Sequence, residues 1–227
     1  MVLLSGTGSL FQSLLDASRS PSFPAEIVAV GSELDHCQGL QRASAAGLPT
    51  FTVSPQAYRH PDRHHDRHLD RHHDRHDGGP VDGRPALDRE AWDRALASSL
   101  GAWDPDWIVC AGFMRILGPA VLAQFDGRII NSHPALLPAF PGAHAVADAL
   151  AAGAATTGCT VHLVDAGVDT GPVLAQCEVA VHVEDNEATL HERIKTVERE
   201  LLPEVLADLV LGRLCAPKVA TRSRSHS

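Results

Sequence analysis

Asn131 and His133 stand two apart in the run RIINSHPALLPAFPGAH, directly after a short apolar, β-branched stretch at 128–131. Residues i and i+2 on an extended backbone point the same way, so N-x-H sets an amide and an imidazole side by side. If 128–131 is a strand of an open α/β sheet, the pair projects from its C-terminal edge, where such sheets bind ligands. Pro134, Pro138 and Pro141-Gly142 stiffen the loop that follows. A stiff loop bearing paired polar groups suits a preorganised site that stabilises developing charge. Downstream, VDTGP sets Asp169 in a bend between two extended stretches. Folded back onto the sheet edge, that bend completes an Asn–His–Asp trio. Taken alone, N-x-H fits an ordinary structural turn as well.

The elements that must hold these groups show in the hydrophobic pattern. VLLS opens the chain as a short strand, GTGS turns it, and Leu10, Leu14 and Leu15 follow at helical spacing. Further strands are expected at 26–31, 49–53, 107–112 and 128–131, with helices at 39–47, 88–100 and 119–125. Strands alternating with helices predict a parallel sheet wrapped on both faces. After 131 the pattern changes. A helix over 144–153 precedes two extended stretches around a glycine-rich bend in 160–181, which predicts antiparallel strands. A long amphipathic helix over 188–212 contains Pro203, expected to kink or split it. The fold class is therefore α/β, with a mostly parallel central sheet flanked by helices and antiparallel strands in the C-terminal half. One domain is expected over 1–215, followed by a flexible, polar tail over 216–227.

Composition narrows the function classes. The chain has 227 residues, 44% of them hydrophobic, which suits a folded domain. A formal charge of -9 argues against a general nucleic-acid partner, which calls for a basic face. No apolar run approaches the roughly 20 residues that span a membrane, and MVLLSGTGS lacks the basic segment of a signal peptide. Five scattered cysteines with no C-x-x-C pair fit reduced thiols in a cytoplasmic protein. A monomer or a homodimer is expected.

Seven of the fourteen histidines fall between His60 and His76, within four repeats of D-R-H-x. Imidazoles at i, i+4 on a helix could chelate zinc, nickel or copper weakly. A functional centre, however, needs a few ligands held by a surrounding shell, and this tract has one apolar residue, Leu69, to bury. Asp and Arg cancel within each repeat, and the tract falls between a strand and a helix, where insertions are tolerated. Residues 59–82 read as a low-complexity, solvated insertion, with adventitious metal binding as the alternative and no metal required for the chemistry.

Five motifs in order carry a family resemblance: SGTGS at 5–9, AGFMRILGP at 111–119, NSHPALLPAFPGAH at 131–144, GCTVHLVDAGVDTGPVL at 158–174 and RIKTVE at 193–198. Together they resemble the phosphoribosylglycinamide formyltransferases, or glycinamide ribonucleotide transformylases. These are folate-dependent enzymes of purine synthesis with a Rossmann-like formyltransferase fold. The resemblance covers nearly the whole chain apart from the insertion and the last dozen residues.

The resemblance implies transfer of a formyl group from 10-formyltetrahydrofolate to the amine of glycinamide ribonucleotide, through a tetrahedral intermediate and without metal or covalent enzyme intermediate. Asn131 would donate to the oxyanion and His133 would be the general acid. Asp169 would hold the His133 ring, favour its protonated form and order a water. The nucleotide would fall to Gly8, Ser9 and Leu10 at a helix N-terminus and to Lys195, Thr196, Val197 and Glu198. The family usually reads GSNLQ where this chain has Gly8-Ser9-Leu10-Phe11-Gln12, so an asparagine side chain is absent at position 10 while the backbone donor is kept. The folate would lie on Met114, Arg115, Ile116 and Leu117, against Asn131, under the bend Asp165, Ala166, Gly167, Val168 and Asp169, with Arg89 assigned to it as well. Without the resemblance, Lys195 and Glu198 would read as a surface ion pair and MRIL as a buried strand end.

Two other formyl-handling classes share the trio. Methionyl-tRNA formyltransferases carry a further C-terminal domain, for which the chain after 212 leaves no room. Formyltetrahydrofolate deformylases carry an extra N-terminal domain, whereas this chain opens at its first strand. Small-molecule substrates are the expected partners, with neither nucleic acid nor membrane.

Overall fold

The computed structural model describes residues 1–60 and 86–214. Nine strands appear in chain order: β1 (Val2–Leu3), β2 (Val30–Ser32), β3 (Thr50–Thr52), β4 (Arg59–His60), β5 (Ala86–Leu87), β6 (Ile108–Cys110), β7 (Ile129–His133), β8 (Thr156–Leu163) and β9 (Val173–Ala180). Six α-helices accompany them: α1 (Ser9–Ser18), α2 (Gln38–Ala45), α3 (Arg89–Gly101), α4 (Pro119–Gln124), α5 (Ala145–Ala151) and α6 (Glu187–Val210). The central sheet has the order β3-β2-β1-β6-β7-β8-β9. Its first five strands are parallel, and β8 and β9 are added antiparallel. This is the α/β architecture expected from the sequence. The chain winds outward from β1 to β3 and then returns to the other side of β1 with β6, so the β1–β6 junction is the reversal point that opens a crevice beyond the strand ends.

The central strands are buried on both faces, and the β1 segment shows how the sequence does it. Val2 and Leu4 enter one apolar cluster with Phe11 and Leu14 of α1 and Leu202 and Leu206 of α6. Leu3, one residue out of phase, enters the opposite cluster with Trp92, Leu96 and Leu100 of α3 and Val121 of α4. Period-two alternation with apolar residues at both phases is the pattern of a strand covered on both faces.

Three expectations about element bounds are corrected. The strand expected at 26–31 forms only from Val30, because β1 offers only Val2 and Leu3 as ladder partners to Val30 and Gly31. The strand expected to end at Asn131 runs on to His133, since β8 continues the ladder through Asn131↔His162, Ser132↔Val161 and His133↔Thr160. Nor does Pro203 split the last helix, which runs unbroken from Glu187 to Val210. An interior proline costs about 3 kcal/mol. Burial of Leu202, Val205, Leu206 and Leu209 beside it outweighs that, at about 1.5–3 kcal/mol for each large apolar side chain.

Two polar devices fix elements that border the crevice. The α6 N-terminus is closed by a capping box in which Asn186 accepts from the Thr189 amide and Thr189 accepts from the Asn186 amide. Buried Asp93 of α3 accepts from the amides of Gly118 (2.8 Å) and Ala120 (2.6 Å), satisfying first-turn donors of α4 from another helix. The D-R-H-x tract and the tail over 216–227 lie outside the described residues. Arg59 and His60, expected to open the insertion, form an antiparallel ladder with Leu87 and Ala86. Among the described residues no helix is long and apolar enough to cross a membrane.

Candidate active site

A cleft of about 540 Å³ opens at the C-terminal ends of β1, β6 and β7. Its walls are the turn before α1, the segment 111–117 after β6, the bend 164–169 between β8 and β9, and one face of α6. That volume lies within the range of small-molecule sites.

The sequence-predicted trio meets at one end of it. His133 is buried (4% exposed), with Nδ1 3.2 Å from Asp169 Oδ2 and Nε2 donating to the Phe140 carbonyl at 2.8 Å. Each ring nitrogen thus faces an oxygen acceptor, the arrangement that a doubly protonated imidazole satisfies with two N–H groups. Phe140 and Asp169 both adopt left-handed backbone conformations, with φ of 55° and 54°. Such conformations cost on the order of 1–3 kcal/mol at non-glycine residues and gather at functional sites. The Gly142 amide also donates to Asp169 Oδ2, at 2.8 Å, which ties the proline-rich loop to the later bend. Burial of Asp169 favours its neutral form. Hydrogen bonds from His162 and the Gly142 amide, with the charges of His133 and His162, outweigh that and hold the carboxyl below its ordinary range.

His162 is a fourth member that the sequence reading missed. It is 2% exposed and stands directly opposite Asn131 in the β7–β8 ladder. Its Nδ1 donates to the Leu163 carbonyl at 2.9 Å, and its Nε2 lies 3.3 Å from Asn131 Nδ2 and 3.5 Å from Asp169 Oδ1. When neutral the ring accepts from the Asn131 amide, and when protonated it donates to the carboxylate. The one available signal was a lone imidazole inside the otherwise apolar stretch TVHLV, seven residues before Asp169.

The loop after His133 is pinned from beneath. The buried Thr160 hydroxyl donates to the Ala135 carbonyl (2.6 Å) and accepts from the Leu137 amide (3.0 Å) and Gln176 Nε2 (2.9 Å). Its stiffness therefore comes from β8 and β9 as well as from its prolines.

At the other end of the cleft, α1 begins after Gly8 with no side-chain cap, leaving its first-turn N–H groups to the cleft beside Ser9 and Leu10. Gly8 has φ +72°, and a Cβ there would lie 2.6 Å from the Gly39 Cα, so only glycine fits. Arg42 of α2 braces the turn, with Nε donating to the Thr7 carbonyl at 2.9 Å and Nη1 to Gln12 Oε1 at 3.2 Å.

Across from that turn, His191, Lys195 and Glu198 bring one face of α6 to the cleft. The ion pair that Lys195 and Glu198 suggested by spacing does not form. Lys195 Nζ lies 3.5 Å from Glu192 Oε2, while Glu198 accepts from the Ser132 hydroxyl at 2.7 Å. Burial pushes the Glu198 carboxyl up, against the Ser132 hydrogen bond and the charges of Lys195 and Arg199. The His191 imidazole is pushed down by burial and by Lys195, with Glu187 and Glu192 opposing. Thr196 and Val197 do not line the cleft. The Thr196 hydroxyl donates to the Glu192 carbonyl within the helix, and Val197 packs on the cluster of Val146, Cys159 and Ile194.

Met114, Arg115, Ile116 and Leu117 all line the cleft, as do Asp165, Gly167 and Val168. Met114, Ile116 and Val168 are 74%, 50% and 46% exposed, an apolar shelf left open to solvent. The Ser5 hydroxyl accepts from the Met114 amide at 2.7 Å and fixes that segment to the end of β1. Asp165 Oδ1 accepts from the Gly167 amide and the Thr170 hydroxyl, shaping the bend. Ala166 is not among the lining residues, and neither is Arg89. Arg89 lies at the first turn of α3, its Nη2 donating to the Ile116 carbonyl at 3.3 Å and its guanidinium over Trp92. Among the described residues no group of three or more His, Cys, Asp or Glu could hold a metal ion.

Comparison with known proteins agrees with this geometry. A model of the formyl transferase family matches residues 1–206. A phosphoribosylglycinamide formyltransferase of Mycobacterium tuberculosis (strain ATCC 25618 / H37Rv) is 48% identical over 225 residues, which cover 99% of this chain and 91% of that protein. The protein of the same name from Escherichia coli (strain K12) is 35% identical over 214 residues, covering 94% and 88%. The crystal structure of glycinamide ribonucleotide transformylase 1 from Symbiobacterium toebii superposes with a TM-score of 0.79 at 36% identity, covering 94% of this chain and 88% of that one. The chain belongs to the formyl transferase family, with the phosphoribosylglycinamide formyltransferases as its relatives.

Proposed function

We propose that the protein transfers a formyl group from 10-formyltetrahydrofolate to the amine of glycinamide ribonucleotide, a step of purine biosynthesis. The carrying observation is the convergence of Asn131, His133, Asp169 and His162 at the head of the cleft. The folate supplies the formyl carbon when bound. The open apolar shelf of Met114, Ile116 and Val168 suits its flat ring, with backbone groups of 114–117 available to the ring's polar edge.

As the substrate amine adds to the formyl carbon, negative charge grows on the carbonyl oxygen. One N–H of the Asn131 amide faces His162 Nε2, which orients the side chain and leaves the second N–H for that oxygen. His133 acts as general acid from Nε2, once its N–H turns from the Phe140 carbonyl to the substrate: the proton goes to the folate nitrogen as the bond from that nitrogen to the formyl carbon breaks, and the proton shed by the attacking amine restores the ring. Asp169, which accepts from the Gly142 amide, holds Nδ1 and so sets the ring's plane. The nucleotide phosphate fits the uncapped N-terminus of α1 at Gly8, Ser9 and Leu10, where N–H groups and the helix dipole favour an anion. Lys195 and Glu198 face that nucleotide from α6. The chemistry uses no metal, and one domain over 1–215 carries the site.

The test is a formyl-transfer assay on the full chain with 10-formyltetrahydrofolate and glycinamide ribonucleotide, run with and without chelator. Nucleotide-dependent release of the folate, unaffected by chelator, is expected. Release that ignores the nucleotide would make the protein a hydrolase, and loss on chelation would put a metal in the reaction.

A further inference from the structure

Ser132 lies between the two reactive residues of β7, and the pleat turns it to the opposite face. There it meets α6. Its hydroxyl donates to Glu198 Oε1 at 2.7 Å, and the two residues are 8% and 6% exposed. That length is the optimum for an O–H···O hydrogen bond, so the contact fixes the oxygen it reaches. The other oxygen, Oε2, has no hydrogen bond and is not among the buried polar atoms left without a partner, while Glu198 itself lines the cleft. One oxygen of the carboxyl is therefore pinned and the other faces the cleft.

We propose that Ser132 is a positioning residue for the nucleotide substrate: by holding Oε1 of Glu198 it presents Oε2 to the nucleotide's hydroxyl or N–H donors. The inference rests on the formyl-transfer reading. Three consecutive residues of one rigid strand then serve both ends of the reaction. Asn131 and His133 face the formyl carbon, and Ser132 sets the carboxylate that holds the nucleotide carrying the attacking amine. The strand fixes the distance between the two. A glutamate left to sample its rotamers would have to be ordered by each incoming nucleotide.

The experiment compares Ser132→Thr with Ser132→Val, a pair matched in shape that differs by the hydroxyl, together with Ser132→Ala. Steady-state constants for both substrates are measured on the full chain. The Val and Ala variants are expected to raise KM for glycinamide ribonucleotide about two- to ten-fold, the cost of ordering one rotamer-rich side chain at each binding event, while KM for 10-formyltetrahydrofolate stays put. Thr is expected to restore the wild-type value. Glu198→Gln added to Ser132→Val should raise the nucleotide KM little further, because the serine acts through the glutamate. Val behaving like Thr, equal losses for both substrates, or additive Val and Gln effects would each overturn the proposal. Wild-type protein without formyl transfer would overturn the functional reading and this proposal with it, whereas active wild type with an indifferent Val variant overturns this proposal alone.

Discussion

Asn131 and His162 face each other across the β7–β8 ladder, and the amide nitrogen of one lies 3.3 Å from Nε2 of the other. The contact orients the proposed oxyanion donor from a strand that carries none of the residues read as catalytic from the sequence. His162→Ala should therefore lower kcat with little change in either KM, by roughly 10- to 100-fold, below the 10²–10³ typical of deleting an oxyanion donor outright. His162→Gln keeps a polar atom near the position of Nε2 and should lose less. Steady-state kinetics of the two variants decides it, and equal kcat for Ala and wild type would remove His162 from the machinery.

His133→Ala removes the proposed general acid. Turnover should fall by about 10²–10⁴-fold, the range for general acid–base groups, while calorimetric binding of glycinamide ribonucleotide stays within a few-fold of wild type, because the proposed nucleotide cradle lies on α1 and α6. Wild-type turnover in this variant would sink the assignment.

Asp169 makes a pH prediction. Burial alone would raise its pKa, yet hydrogen bonds from His162 and Gly142 and the nearby imidazole charges leave it lowered. With the folded value below the unfolded value of about 4, its contribution to stability is fully present above that pH and is lost as pH falls through the folded pKa. Melting temperatures of wild type and Asp169→Asn should differ at neutral pH and converge in acid below about 4. The same substitution should cost activity at every pH, since the ring of His133 loses the negative charge beside Nδ1.

Asp93→Ala leaves the amides of Gly118 and Ala120 without their acceptor. An unsatisfied buried donor costs about 1–3 kcal/mol, so a loss at least that large is expected by urea denaturation. Asp93→Asn, which retains one acceptor oxygen, should recover part of it.

The ladder pairing Arg59 with Leu87 and His60 with Ala86 brings the two ends of the histidine-rich segment side by side. Replacing 61–85 by an Asn-Gly turn, which suits a two-residue hairpin, should leave kcat/KM unchanged with or without chelator. Loss of formyl transfer would give the tract a role in the reaction.

Part of the site was readable before any coordinates because it depends on local pattern. The switch from alternating strands and helices to two extended stretches around a bend foretold the antiparallel β8 and β9. N-x-H on a strand needs only the period of the pleat to put Asn131 and His133 together. A helix N-terminus after Gly8 and a shared α6 face for Lys195 and Glu198 follow from helix geometry, whereas their assignment to the nucleotide came from the family resemblance. Arg89, given to the folate by the resemblance alone, owes its place to a contact no spacing shows, its guanidinium holding the Ile116 carbonyl beside the 114–117 segment.

Taken by itself, the sequence determined the order of the elements, the pairing of amide with imidazole and the family to which the chain belongs. Asp169 was expected to join that pair if its bend folded back; that it does, and that His162 and Glu198 enter, was decided by the tertiary structure. Asp169 reaches His133 through a left-handed backbone turn, His162 reaches Asn131 through strand register, and Ser132 takes Glu198 from Lys195 by facing the other way. The physical reason is one of range. Periodicity and turn chemistry act over a few residues, whereas these contacts join residues 31, 36 and 66 positions apart, whose meeting depends on how whole elements pack.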